Sequence, residues 1–512
     1  MIRSRRTPVV PLIAAALALV VTLSGCTALL GPRVQATSTP TDETVSADLE
    51  PFYSQVLAWT DCEVEMQCAT VTAPLDWEDP SRESIELSII RSVATGDRQG
   101  SLLVNPGGPG GSGYDFVASS LERATTAELR AAYDIVGFDP RGVGRSSAVA
   151  CYDDPAAFDD FIFGLLPAEY GSDEWISEYE KVNASFGQDC LAHTGELLGF
   201  VDTISAARDL DLLRAVLGDT KLNYLGFSYG TFLGATYADL YPEKTGRLVL
   251  DGALDPSTTS TDVSVSQAVG FENALRAYLK SCLATTTCEF GGTVDDAMKS
   301  IRSLLDQLNL SPLRNADGRE LGSASMTTAI ILPLYSEENW PYLDQLFASV
   351  KQGDASIAFQ LADSYYGRDA DGEYTDNSTE AFLSINCLDY TSDNSLESMR
   401  AEEAELIEAA PVLGQQLAYG GAGCASWPFE PTRDRVAIHA PGSADILVVG
   451  TTNDPATPYK WAVSLAEQLD NGHLVTYEGE GHTAYNRSNS CVNDAVDGYL
   501  INGVVPEADP KC

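Results

Sequence analysis

Three residues far apart in the chain have the side chains that acyl transfer needs: Ser228 in GFSYG (residues 226–230), Asp454 in TTNDPATP and His482 in GEGHTAY. A serine hydroxyl is a poor nucleophile at neutral pH. It needs an imidazole to take its proton and an acid to fix that imidazole's tautomer and orientation. It also needs donors for the charge that builds on the attacked carbonyl, and two backbone N–H groups are candidates for this oxyanion hole. One belongs to Tyr229, directly after the serine, and the other to Gly108 in the glycine-rich stretch NPGGPGGSG (residues 105–113). With Gly and Ser each near ~7% of residues, a G-x-S-x-G pentapeptide arises by chance in roughly one chain in six of this length. Its neighbours must therefore decide what it means.

Those neighbours read as strand, turn and helix. LNYLGF precedes Ser228, the helical run TFLGATYADLYPEK follows, and RLVLDGALDP returns to strand. That is the grammar of a parallel sheet with helices on its faces, and it predicts an α/β fold with Ser228 at a strand-to-helix turn. Upstream, CATVTAPLDW, SIELSIIRSVA, GSLLVNPG and YDIVGFDPRG are β-prone runs, several closed by Gly or Pro. Residues 203–217 place Ile204, Ala207, Leu210, Leu213 and Leu217 on one helical face, with Thr203 as the expected N-cap and Gly218 as the stop. From 257 to 430 the pattern turns helical, after which ADILVVGTTNDPATP and HLVTYEGEGH restore the strand grammar. Asp454 and His482 each follow one of these late strands. The expected layout is a first core segment at 49–256, a mainly helical cap at 257–430 inserted between late strands, and a second core segment at 431–512.

Other candidates fit less well. Asp251 also ends a strand and is the rival acid. His193, His439 and His473 lack such a setting, and Asp139 and Arg141 in FDPRGVGRSS read as a structural turn. No C-x-x-C pair occurs and the four histidines are scattered, so no metal site is expected. The chemistry requires no cofactor.

The N-terminus carries Arg3, Arg5 and Arg6, an apolar stretch from Val9 to Leu23, and small residues before Cys26. This is an export signal, assigned to residues 1–25. Leu23-Ser24-Gly25-Cys26 resembles the bacterial lipobox, with Cys26 as the lipidated residue. Residues 26–48 read as a flexible polar tether. Localisation is therefore expected on the outer face of the bacterial cytoplasmic membrane, with membrane contact only through the lipid. Setting Cys26 aside from the 11 cysteines leaves ten, an even set in an exported chain. Neighbours in sequence suggest Cys62–Cys68, Cys151–Cys190, Cys282–Cys288, Cys387–Cys424 and Cys491–Cys512. The formal charge of -43, from 31 Lys+Arg against 74 Asp+Glu, argues against a nucleic acid or anionic membrane partner. The expected partner is a peptide or ester substrate, and the expected state a monomer.

Taken together, NPGGPGGSG, GFDPRGVGRSS, NYLGFSYGTFLGATYADLYPEK, RLVLDGALDP, TTNDPATP and GEGHTAY resemble the exported actinobacterial α/β-hydrolases similar to tripeptidyl aminopeptidases, from about Trp59 to Cys512. The resemblance implies an α/β-hydrolase fold, Ser228 as nucleophile, Asp454 as acid, His482 as base, a helical cap after DGALDP, and disulfides in core and cap. The glycine stretch is similar to the H-G-G-P-G loop of prolyl aminopeptidases, with Pro106 where their His stands. An aminopeptidase must also hold a free N-terminal ammonium. Asp389 in INCLDY and Glu337 or Glu338 in YSEENW are the candidates. Rival readings are a carboxylesterase or lipase with the same triad, and an inactive hydrolase-like solute-binding lipoprotein.

Overall fold

The computed structural model describes residues 34–391, 393–431 and 434–512. The leader 1–25 and Cys26 lie outside the described residues. Ten strands build one sheet: β1 Val34–Thr37, β2 Ala58–Asp61, β3 Gln67–Pro74, β4 Ser84–Ser92, β5 Gly100–Asn105, β6 Tyr133–Phe138, β7 Leu222–Phe227, β8 Thr245–Asp251, β11 Ile446–Asn453 and β12 Gly472–Glu480. A small hairpin, β9 Leu313–Arg314 with β10 Glu320–Leu321, lies in the cap. The sheet order is β1-β2-β3-β4-β6-β5-β7-β8-β11-β12. Strands from β6 to β12 pair in parallel, while β1 to β4 and the β4–β6 junction are antiparallel. β5 and β6 are buried along their whole length, and the apolar runs Leu102–Val104 and Ile135–Val136 follow from that placement inside the sheet.

Chain order reverses between β5 and β7. β6 lies on one side of β5 and β7 on the other, so the crossovers diverge and leave a crevice at the strands' carboxyl ends. Register places the candidate groups at that crevice. Asn105 pairs with Gly226, Phe227 pairs with Asp251, and Asp251 pairs with Val449. The glycine stretch, Ser228 and the approach to Asp454 therefore leave the sheet at one level.

The helix Thr203–Leu217 forms where expected and ends at Gly218 in the left-handed region. Its N-cap, however, is Asp202, whose side chain accepts from Ile204 and Ser205 N–H. Either residue type can cap a helix; here a tertiary contact, described below, engages the Thr203 hydroxyl. The FDPRG turn is structural. Buried Arg141 donates to both oxygens of Asp209 at 2.7 Å and to the carbonyls of Pro74, Leu75 and Phe200. All five disulfides join the cysteines that are neighbours in sequence.

Two parts of the layout differ from expectation. The cap is made by two stretches of chain, because helices Pro155–Phe163 and Asp173–Thr194, within the first core segment, pack against the helices that follow β8. Asp159 receives both arms of Arg368 at 2.7 Å, Phe163 meets Phe359 edge-on, and Tyr170 donates to the Gln415 carbonyl. A helix after a strand looks like an ordinary crossover until its partner across some two hundred residues is known.

The second difference concerns the tether. Residues 34–48 are held on the body rather than free of it: β1 pairs with β2, and Thr41 N–H donates to the Ala215 carbonyl. Glu43 accepts from Arg214 at 2.9 and 2.8 Å and from Lys244 at 2.7 Å. Arg214 is wholly buried, and with Asp211 and Lys244 it forms a network that needs the second carboxylate. Polar composition suggested a tether, but one glutamate finding two cations overrides it. Glu43→Ala should lower the unfolding free energy by about 1–3 kcal/mol, measured by urea titration, because hydrogen bonds to charged groups contribute at that level. Unchanged stability would mean that residues 34–48 are detached in solution.

Candidate active site

Ser228 sits at the N-cap of helix Tyr229–Leu240 with φ 55° and ψ −125°, a conformation unfavourable for a residue with a side chain. The turn is possible because its flanks are glycine. A Cβ on Gly226 would lie 2.4 Å from the Gly230 carbonyl oxygen, and one on Gly230 would lie 2.8 Å from Asn105 Oδ1. Ser228 N–H donates to the Asp251 carbonyl at 2.9 Å, and Thr231 N–H returns to the Ser228 carbonyl at 2.8 Å. The elbow is thus fixed on both sides of its strained residue.

The glycine stretch lies directly over it. A Cβ on Gly107 would come within 2.9 Å of Ser228 Cβ and 3.0 Å of Tyr229 N. Gly107 N–H is taken by Asn105 Oδ1 at 2.9 Å. Among the described residues, the N–H groups of Gly108 and Tyr229 have no acceptor. These are the two residues that the sequence offers as oxyanion donors.

Asp454 and His482 meet. His482 Nδ1 lies 2.9 Å from each Asp454 oxygen. The carboxylate is buried and also accepts from Ala456 N–H at 2.9 Å, Thr457 N–H at 2.8 Å, the Thr457 hydroxyl at 2.9 Å and Thr483 N–H at 3.2 Å. So many donors fix its orientation, and the bond to Nδ1 leaves Nε2 as the nitrogen free to act as base. The rival acid has other work: buried Asp251 accepts from Ala484 N–H at 3.0 Å and Tyr485 N–H at 2.8 Å, which ties the loop after His482 to the end of β8. A Cβ on Gly252, the next residue, would stand 3.3 Å from His482 Cε1, so the end of β8 that holds Ser228 N–H also borders the imidazole. His193, His439 and His473 make contacts elsewhere, with Asp189, Gln468 and Asp445.

The cap reaches each of these loops. The Tyr335 carbonyl accepts from His482 N–H at 2.9 Å, and its ring meets the imidazole edge-on at 5.5 Å. Glu337 and Glu338 follow on an exposed turn. Glu480, on the approach to His482, has its carboxyl pushed up by burial and by the charge of Glu337. Gln267 donates to the Ala456 carbonyl in the turn after Asp454. Asp389, the third candidate for the substrate's ammonium, is placed otherwise. It is buried, with Oδ1 accepting from Thr203 N–H at 3.0 Å and Oδ2 from the Thr203 hydroxyl at 2.5 Å. Its oxygens serve a helix N-terminus. Asn105, Thr457 and Tyr335 are not singled out by the sequence, and Thr203 reads there only as a helix cap. Asn105 alone had a local signal, as the residue opening the glycine stretch.

Burial pushes the Asp251 carboxyl up to about 6 and that of Asp389 up to about 7, against their backbone donors. A carboxyl whose folded pKa is raised holds its proton more tightly when folded. Its stabilising contribution is therefore complete below about pH 4 and is lost as pH rises through about 7. Asp389→Asn stays neutral, so its unfolding free energy relative to wild type should rise between pH 4 and 8. A difference that does not vary with pH would sink this assignment.

Comparisons with known proteins give the family. A family model described as TAP-like protein matches residues 410–512, the stretch that contains Asp454 and His482. Serine protease Hip1 of Mycobacterium tuberculosis is 35% identical over 520 residues, covering 98% of this chain and 96% of that one. Carboxylesterase B of the same species is 36% identical over 452 residues, 87% and 86% of the two chains. Tripeptidyl aminopeptidase of Streptomyces lividans is 30% identical over 467 residues, 89% and 86%. With its mostly parallel sheet, flanking helices and near-complete alignment to these relatives, the chain belongs to the TAP-like family of α/β-hydrolases and is a serine hydrolase.

Proposed function

We propose that this is an exported, lipid-anchored exopeptidase that releases short N-terminal peptides through a Ser228–His482–Asp454 acyl-enzyme mechanism. The observation that carries the reading is the Asp454 carboxylate held on His482 Nδ1 at the crevice where Ser228 leaves the sheet. His482 Nε2 takes the Ser228 proton as Oγ attacks the carbonyl carbon. The oxyanion accepts from Gly108 and Tyr229 N–H. His482 then gives the proton to the leaving amine, the C–N bond breaks, and water activated by the same imidazole releases the acyl group.

The cap turn at Glu337 and Glu338 supports selection of a free amino terminus. Two exposed carboxylates stand two and three residues beyond Tyr335, which touches His482, with Glu480 close by. An ammonium there would meet opposite charge within a few residues of the reacting carbonyl. Export is supported by the five disulfides, which persist in oxidising compartments. The lipid would be carried by Cys26.

The similarity to a carboxylesterase keeps ester hydrolysis as the alternative outcome of one experiment. Free and N-blocked tripeptide anilides and short- and long-chain esters are compared on the same preparation. The peptidase reading expects turnover of free tripeptides, a KM raised about tenfold by Glu337→Gln with Glu338→Gln, and little turnover of blocked ones. Equal rates on free and blocked peptides would refute exopeptidase action, and turnover of esters alone would favour the esterase. Ser228→Ala should lose on the order of 10⁴-fold or more in kcat. A fluorophosphonate should label Ser228; labelling of a different residue would overturn the mechanism.

A further inference from the structure

One cap helix, Ser378–Asp389, touches both pieces of chain that carry the available N–H donors. Near its start it covers the glycine stretch. A Cβ on Gly110 would lie 2.5 Å from the Ser378 carbonyl oxygen and 3.1 Å from Phe382 N. At its other end, Asp389 engages Thr203 through both carboxylate oxygens. The Thr203 hydroxyl also hydrogen-bonds to the phenol of Tyr229, the residue after Ser228.

Donor counting gives this chain a direction. A threonine hydroxyl has one proton, and above about pH 7, where Asp389 is ionised, that proton goes to the carboxylate. The Tyr229 phenol must then donate to Thr203 Oγ1. All three groups are buried, where such a chain is stronger than in water and its loss leaves unsatisfied polar atoms. The helix itself is tied down. Cys387 is bonded to Cys424, and Glu380 accepts from Cys151 N–H at 2.7 Å. The far end of the Tyr229 side chain is therefore held from the cap, while its own N–H begins helix Tyr229–Leu240.

We infer that helix Ser378–Asp389 sets the oxyanion hole: Asp389 and Thr203 are positioning residues that act through Tyr229, while the start of the helix steadies the loop of Gly108. The inference rests on the proposed roles of Ser228, Gly108 and Tyr229. It makes the cap part of the apparatus that stabilises the transition state, in addition to choosing what enters.

The test uses the full-length protein with Tyr229→Phe, Thr203→Val and Thr203→Ser, and Ser228→Ala as control. Each variant is titrated with a fluorophosphonate to count active sites. Then kcat and KM are measured on whichever substrate wild type turns over, with the Ki of a peptide trifluoromethyl ketone that forms a tetrahedral adduct. Donors displaced from the transition state should cost about tenfold or more in kcat for Tyr229→Phe and Thr203→Val. KM should stay within about twofold, and Ki should weaken in parallel with kcat/KM. Thr203→Ser, which keeps the hydroxyl, should recover most of the loss. Unchanged kcat per titrated site, a loss confined to KM, or an unaltered Ki would each overturn the inference. If Thr203→Val does not fold, Tyr229→Phe decides alone. Turnover surviving in Ser228→Ala would instead overturn the proposed mechanism, so the two failures are distinguishable.

Discussion

The backbone of Ser228 is the constraint to which the rest of the molecule answers. A non-glycine residue at φ 55° and ψ −125°, outside the left-handed helical region, persists only where its surroundings over-determine it. Here the surroundings come from four directions: the Asp251 carbonyl on one side, Thr231 N–H on the other, Asn105 against Gly230 beneath, and Gly107 above. They come from β5 and the glycine stretch after it, from β8 and from the helix that Ser228 begins, and the parallel register of β5, β7 and β8 brings them together. The sheet is therefore more than a platform. Its strand order decides which loops can meet at Ser228, whose backbone geometry is costly.

Buried carboxylates recur wherever a loop of the site is secured. Asp454 collects donors around His482, Asp251 holds the segment after it, and Asp389 caps the helix beside Tyr229. Each accepts from backbone N–H groups, which fix orientation without a second charged side chain. This explains how a chain with so large an excess of acid can bury several carboxyls near its site. Their partners are amides, and the excess is carried by the solvated exterior.

Much of this was legible because residue type and strand context coincide. Ser228, Asp454 and His482 each follow a recognisable strand, and the core alternation of strand and helix is strong. What was not legible depends on contacts between distant segments. Thr203 reads as the cap from sequence, and only Asp389, 186 residues away, assigns it another partner and leaves the cap to Asp202. Helices Pro155–Phe163 and Asp173–Thr194 carry no mark that sends them to the cap. Tyr335 is ordinary in sequence and is distinguished only by the imidazole it meets.

Were the enzyme anchored at Cys26 as proposed, the seating of residues 34–48 would set how far its body stands from the membrane. Seven residues, 27–33, separate Cys26 from Val34, and a chain of that length spans at most about 25 Å. A tether running to residue 48 would let the body sweep a deep layer of the envelope. With the shorter one, the body would stay within about its own diameter of the bilayer. The segment binds the carboxyl end of helix Thr203–Leu217 and Lys244 just before β8, whereas Ser228 follows the carboxyl end of β7. Which polymers could reach the crevice would then depend on their height above the membrane as much as on the shape of the cap.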